Sequence, residues 1–547
     1  MHDFRKIIAA AALITILCGC AGNSPETPAN TDAAAANTDA AASASADTNP
    51  PAETEDVPAK RESTMPLISI TTKKQTPDAL DFVNLPVAAH VSEAIASWTP
   101  GYVMPPAPWY EDCTVSVTGT DGSTLLTGAD AKVKVRGNWT TTYDKKPLRI
   151  KFSEKQEMLG LNGGNKFKDW VLLAEYKDGS MQRNKTIYDV SQDILGAEGL
   201  YAPDCEFVEV EINGDYRGVY LLTEQQQVRK NRVNITDVEQ GYTGTDIGYF
   251  LEMDTYFYTE DELQQFRCEY HGNDPLTPFD GKGGSGRTIK FLPGDADFWK
   301  SDVGFTIKSD INSWEQHDLI EAFVNGVYDI MYEAAYNKKA YRFNDGYTGI
   351  TEAPDITPEE AVRAVADVDS LAAIYIINEL ACDADIYCSS FYMTADLGAE
   401  GNKKLTFQAP WDFDSAMGVK SRCPDGTGFY AGNIVPDVNG NYETVNPWLT
   451  VLMYEDWYQD IIREKWTAAY DSEIFSRALG SLEADRTLHH DAFERNYVRW
   501  NNIINNEIFV NELSDRAKQY KDHDDAADHF YEWFGTRIDF INEQWHK

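Results

Sequence analysis

An α+β fold, with a strand-rich front half and a helix-rich back half, is what the pattern of this chain predicts. Three observations carry that prediction. Between residue 131 and about residue 254, apolar side chains recur at every second position, the period of a half-buried strand. Beyond about Phe305 they recur at every third and fourth position, as on one face of a helix. From about Met65 to Lys547 the composition is aromatic-rich and globular, and that length suits several ordinary domains or one large enzyme of two halves. Residues 65–130 are read as an N-terminal strand-rich segment, 131–430 as the core, and 431–547 as a helical region of the same domain.

The elements follow in order. In "KVKVRGNWTT…KKPLRIKF" a strand, a glycine-containing turn and a second strand succeed one another. Leu148, Ile150 and Phe152 alternate with Arg149 and Lys151, which gives one apolar and one basic face. "DWVLLAEY" reads as a buried strand and "SMQRNKTIYDVSQDIL" as a helix. "CEFVEVEINGDYRGVYLLTEQ" is a hairpin: Val208, Val210 and Ile212 alternate with Glu209 and Glu211, and Asn213-Gly214 favours a tight turn. "GYFLEMD" adds a strand. "DLIEAFVNGVYDIMYEAAY" and "DSLAAIYIINEL" are helices, and "SSFYMTAD" with "KKLTFQAPWDFD" forms a strand pair. From Asn446 onward amphipathic helix dominates, its Trp and Tyr stripes suited to core packing.

The opening of the chain sets where it works. Arg5 and Lys6 precede an apolar run from Ile7 to Leu17, too short for a spanning helix and laid out as a secretory leader over residues 1–20. Leu17-Cys18-Gly19-Cys20 resembles a bacterial lipobox, which implies lipidation of Cys20 and an exported protein tethered to the membrane at the cell surface. Residues 21–64 hold no aromatic residue, no Leu and no Ile, and repeat "NTDAAA". Such a segment cannot offset its ordering entropy by burial, so it is expected to be a disordered spacer. The net charge of −40 argues against nucleic acid as a partner, because phosphate contacts need clustered cations. Cys113, Cys205, Cys268, Cys382, Cys388 and Cys423 form no C-x-x-C pair and have no His at ligand spacing. That argues against zinc and favours buried thiols.

Two acidic stretches invite chemistry. In "QAPWDFDSAMG", Asp412 and Asp414 stand one residue apart between Trp411 and Gly418. Alone, this reads as a turn or as carboxylate oxygens for a hard divalent cation. In "ELACDADIYCSS", Asp383 and Asp385 precede Ser390. The run "GKGGSGRTIKF" over 281–291 contains G-x-G-x-x-G, but a strand rather than a helix follows it, so a surface loop is the expectation.

"RGNWT…KKPLRIKF", "INGDYRGVYLLTEQQQVRKNRVNI", "GYFLEMD", "NELACDAD…SSFYM" and "APWDFDSAMG" occur in an order that resembles the spore-coat CotH family of protein kinases. The likeness runs from Arg136 to Gly418 and, more weakly, through the helical tail. It implies an atypical two-lobed protein kinase-like fold that transfers phosphate from ATP, with Mg²⁺ or Mn²⁺, to Ser or Thr of secreted or surface proteins. On that footing Arg136 and Lys151 would hold the triphosphate. Asp385 would orient the acceptor hydroxyl, with Asp383 as its rival. Asp412 and Asp414 would hold the metal, "DFD" standing where a kinase has "DFG". Ser390 takes the place of the metal-binding Asn five residues after a kinase's catalytic Asp, a departure from the pattern. Glu224 and Gln225 would follow a hinge strand and meet the adenine. No Glu is evident near Arg183 and Asn184 to pair with the strand Lys, a second departure. Two other readings stay open: a nucleotide-binding pseudokinase or surface binding module, and a carbohydrate-active surface protein, for which adjacent D-x-D oxygens suit poorly the opposed carboxylates such chemistry needs.

Overall fold

The computed structural model describes residues 63–282, 303–383, 385–421, 424–436, 443–501 and 513–547. The leader, the spacer, Cys20, Cys423 and most of the glycine-rich run lie outside them. The chain is α+β, and its front half closes on itself. Seven strands, β1 (Leu67–Thr72), β2 (Glu111–Thr118), β3 (Thr124–Val135), β4 (Leu148–Gln156), β5 (Phe167–Leu173), β6 (Cys205–Ile212) and β7 (Asp215–Glu224), form a barrel in the order β1-β2-β3-β4-β5-β7-β6. All neighbours are antiparallel except β1 and β6, whose parallel pairing, Ile70 opposite Ile212, closes the ring. The β6–β7 turn carries Asn213 and Gly214 both at positive φ, the two-residue turn that matches strand twist.

Alternation then sorts the side chains. Leu148, Ile150, Phe152, Trp170, Leu172 and Val210 fill the barrel. Their neighbours Val171, Leu173, Phe207 and Leu221 point outward into a second, larger core. This is why "DWVLL" is apolar throughout: β5 is buried on both faces. Glu209 also points outward but is fully buried. It accepts from Tyr216 Oη (2.7 Å) and from Arg495 Nη2 (3.0 Å) of the helix laid across it.

A second, antiparallel sheet is ordered β12-β11-β8-β10-β9. Its strands are β8 (Gly248–Asp254), β9 (Gln265–Phe266), β10 (Gly304–Ile307), β11 (Phe391–Asp396) and β12 (Leu405–Phe407). Seven helices matter here: α1 (Ala89–Trp98), α2 (Arg183–Gly196), α3 (Trp314–Tyr332), α4 (Val368–Ala381), α5 (Asp456–Asp471), α6 (Ile474–Arg499) and α7 (His523–Trp545). Every residue of α4 except Asp369 is buried, as expected of a helix apolar all round. Glu379 is its one buried carboxylate. It pairs with Arg537 of α7 and accepts from Tyr430 N (2.6 Å) and Ala431 N (2.8 Å), so a buried charge is fully partnered. Cys113, Cys205 and Cys268 are buried free thiols, and Cys382 and Cys388 are buried too. Among the described residues no helix is long and apolar enough to cross a membrane.

Candidate active site

Four chain reversals converge on one cavity of about 330 Å³. The β3–β4 loop brings Arg136 and Gly137; Gly137 has φ +96°, and a Cβ there would run into Thr140 Oγ1. The end of β5 brings Glu175 and Lys177. The loop after α4 begins at Cys382, itself left-handed (φ 46°), and brings Asp385, Ser389 and Ser390. The loop after β12 brings Trp411, Asp412, Asp414, Ser415 and Lys420.

The last loop turns by left-handed residues: Ala409 (φ 63°), Asp412 (φ 72°), Met417 (φ 48°) and Gly418 (φ 78°). Three of them are not glycine. Such strain persists only where surroundings impose it, and it concentrates at functional sites. The N-terminus of α2 imposes it here. Asn184 Oδ1 accepts from Phe413 N (2.7 Å), while its Nδ2 donates to Glu175 (2.9 and 3.1 Å). Arg183, fully buried and paired with Asp178, donates to Met417 O from Nε (3.2 Å) and Nη2 (3.1 Å). Gly418 is required because Trp533 packs where a Cβ would sit.

The carboxylates differ sharply. Asp385 is partly open to the cavity, its side chain 32% exposed, and is held by Lys420 Nζ at 3.2 Å. Asp383 is buried, accepts from Asp385 N (3.0 Å), and does not line the cavity; burial pushes its carboxyl well up. The Asp412 side chain opens to the cavity, yet its burial among the cavity walls, then the Asp414 carboxylate, raise its carboxyl to about 7, against Lys177 and Arg136. Ser390 Oγ lies 3.4 Å from Asp412 Oδ2. Lys177 Nζ donates to Ser415 Oγ (2.8 Å), and Ser415 Oγ to Asp414 Oδ1 (3.2 Å). Arg136 sits over the Trp411 ring at 5.6 Å. Glu175 is buried, and burial, then Asp414, then Asp178 raise it well above the usual carboxylate range.

The fold therefore gathers Arg136, Asp385, Ser390, Asp412 and Asp414, and leaves out three residues the sequence singled out. Lys151 lies on the outer face of the barrel, beside Lys132 and Asp169, and is exposed. Leu148, Ile150 and Phe152 fill the interior, so the alternate face looks to solvent and not to the cavity. Glu224 is buried at the end of β7, bonded to Arg232 Nε (3.0 Å), Asn162 Nδ2 (2.5 Å) and Asp204 N (3.0 Å). Gln225 is half-buried beside it, its Nε2 3.4 Å from Gln226 O. Neither lines the cavity, and Arg232 holds both, donating from Nε to Glu224 and from Nη1 to Gln225 O (2.9 Å). Sequence reasoning missed Lys177, Lys420, Glu175 and the clamping role of Asn184. Only the position of Lys177 directly after "DWVLLAEY" gave any signal.

The donor set suits a hard cation in part. Asp412, Asp414 and Ser390 offer oxygen only, and a crowded carboxyl raised as that of Asp412 is raised is what a divalent ion relieves. Among the described residues, no third His, Cys, Asp or Glu joins Asp412 and Asp414 at ligand spacing; the one such triad is His317, Asp318 and Glu321 on α3, away from the cavity. An open, two-carboxylate set fits Mg²⁺, which keeps waters and takes its remaining ligands from phosphate.

Comparison with known proteins shows the family of the chain. The model of the family described as "CotH kinase protein" matches residues 133–280 and 309–541. The inner spore coat protein H of Bacillus subtilis (strain 168) is 34% identical over 95 residues, 17% of this chain and 24% of that protein. The chain thus spans about a quarter of the length of that curated relative.

Proposed function

The chain belongs to the CotH kinase protein family, and we propose that it is an exported, lipid-anchored atypical protein kinase, moving phosphate from ATP to Ser or Thr of secreted or surface proteins. The barrel and the helical half would be its two lobes, with the cavity between them. One observation carries the reading: Asp385, Asp412, Asp414 and Ser390, from two separate loops, meet the cations Arg136 and Lys177 around one open cavity.

Phosphoryl transfer asks for positioning and charge neutralisation more than covalent help. Asp412 and Asp414 would hold Mg²⁺ or Mn²⁺, which supplies charge neutralisation at the phosphates. Arg136 and Lys177, in place of Lys151, would bind phosphate oxygens. Asp385 would accept a hydrogen bond from the acceptor hydroxyl and orient it, steadied by Lys420. Leader, lipid on Cys20 and surface location belong to the same proposal; a spore-coat relative is in keeping with work outside the cytoplasm.

One observation favours a second reading. The Lys420–Asp385 ion pair already occupies the carboxylate, as in a nucleotide-binding module without turnover. Incubation with labelled ATP and Mg²⁺ or Mn²⁺, read by mass spectrometry, separates the two. An active kinase gains phosphate on itself or on added secreted protein, and Asp385→Asn loses it by about 10² or more while keeping the ATP-metal thermal shift. Asp412→Ala loses both. A parent that shows the thermal shift but no phosphate under any condition is a binding module.

A further inference from the structure

The family match begins at residue 133, yet one wall of the cavity is made by residues before it. Helix α1 contributes His90, Val91, Ala94 and Trp98 to the lining. It is seated on the barrel side by Ala88 N, which donates to Thr141 Oγ1 (2.9 Å), and by packing of Val91 and Ile95 with Trp139. On the other side the His90 ring meets the Tyr256 ring at 4.9 Å. α1 therefore bridges the cavity from the barrel to the strand end after β8.

Two details show that this wall faces a ligand. Trp98 Nε1 is buried and has no hydrogen-bond partner among the described residues, and His90 beside it lines the cavity too. Buried polar atoms are normally partnered, and leaving one unpaired costs about 1–3 kcal/mol. An indole N–H can only donate, so its missing partner is an acceptor such as a main-chain carbonyl. The wall runs from the loop that carries Arg136, where Thr141 seats it, to Tyr256 at the strand end after β8. Tyr256, which His90 touches, lines the same cavity as Asp385. The phosphate-side groups Arg136 and Lys177 gather at Trp411 and Ser415. Beyond α1 the chain continues with Val103 and Met104, 85% and 54% exposed.

We propose that α1 is the acceptor wall of the cavity: His90 and Trp98, with Tyr256, Tyr258 and Tyr387, form an aromatic trough leading to Asp385 that takes an extended polypeptide with an aromatic or large apolar side chain next to its acceptor hydroxyl. The inference deepens the kinase reading and rests on it for the role of Asp385. Aromatic walls favour such a side chain through offset and edge-on ring contacts. The unpaired donor supplies the main-chain contact that fixes register. α1 precedes the region that the family model matches.

The test is binding, so that it does not depend on turnover. The full chain is immobilised and exposed to a Ser-centred degenerate peptide library, with and without Mg²⁺-ATP, and retained peptides are sequenced. The parent should enrich peptides with Trp, Tyr, Phe or Leu within two positions of Ser. Trp98→Ala should lose that enrichment about tenfold while its melting temperature and ATP-metal thermal shift stay parental. Trp98→Phe, which removes the N–H together with the five-membered ring but keeps an aromatic face, should weaken retention but keep the side-chain preference. Parental enrichment in Trp98→Ala, no enrichment by the parent, or loss of the ATP-metal shift in Trp98→Ala would each overturn the proposal, the last making α1 a nucleotide wall. Failure of the kinase reading shows separately, as a parent with neither thermal shift nor phosphate transfer but with aromatic-selective retention intact.

Discussion

Replacing Arg183 by Met is the sharpest way to ask whether the α2 N-terminus holds the Asp412 loop. Arg183 and Asp178 are both fully buried. The substitution keeps the volume of the stem but removes the ion pair and both bonds to Met417 O. It also removes the guanidinium from the face of Phe530, where it lies 4.6 Å from the ring centre. Asp178 keeps Ser180 N (2.8 Å) and Arg183 N (2.9 Å) as donors, which soften the loss without neutralising the charge. Breaking one side of a buried pair costs about 3–5 kcal/mol, a large share of a stability of roughly 5–15 kcal/mol. Because Met417 follows Asp412 and Asp414 in the same strained loop, the ATP-metal thermal shift should shrink as well. Urea unfolding of parent, Arg183→Met and Arg183→Met/Asp178→Asn measures the first effect. The double variant should recover part of the loss, since no lone charge remains buried. An Arg183→Met midpoint within about 0.5 kcal/mol of the parent, with an unchanged thermal shift, would refute the clamp.

Lys151→Ala should leave the ATP-metal thermal shift at the parental value whereas Lys177→Ala reduces it, measured by differential scanning fluorimetry; the opposite ranking would return the phosphate role to the outer barrel face. His523 is fully buried, its ring held down to about 4 by burial although Nε2 lies 2.9 Å from Ser180 O. Its folded-state pKa is below the unfolded value, so the unfolded chain binds the extra proton and stability falls as pH drops from about 6.5 towards 4. Between pH 7 and pH 5 the parent should lose on the order of 2 kcal/mol more than His523→Gln in urea titrations, and equal losses would count against it. Cys20→Ala should move the protein from the membrane to the soluble fraction on ultracentrifugation, and identical fractionation would remove the lipid anchor from the proposal.

The sequence by itself determined the kinds of element and the two acidic stretches. Period-two alternation in "LRIKF" and "FVEVEI" is a local property of a strand, and Asn213-Gly214 is a local property of a turn. The ordered motifs placed the chain in its family, and "DAD" and "DFD" put Asp385, Asp412 and Asp414 at the cavity where they stand. Tertiary structure decided what each alternate face looks at. Alternation says that Lys151 and Ile150 point apart, but only closure of the sheet through β1 and β6 turns the Lys151 face outward to solvent. The same closure, with α6 laid across it, buries Glu209, whose spacing matches that of an exposed residue. Between Asp383 and Asp385 no local rule chooses: one is buried under the loop and the other opens to the cavity because Cys382 turns left-handed at the end of α4. Lys177, Lys420 and the α1 wall come from segments far apart in the chain, and their meeting is a long-range contact that no window of sequence encodes.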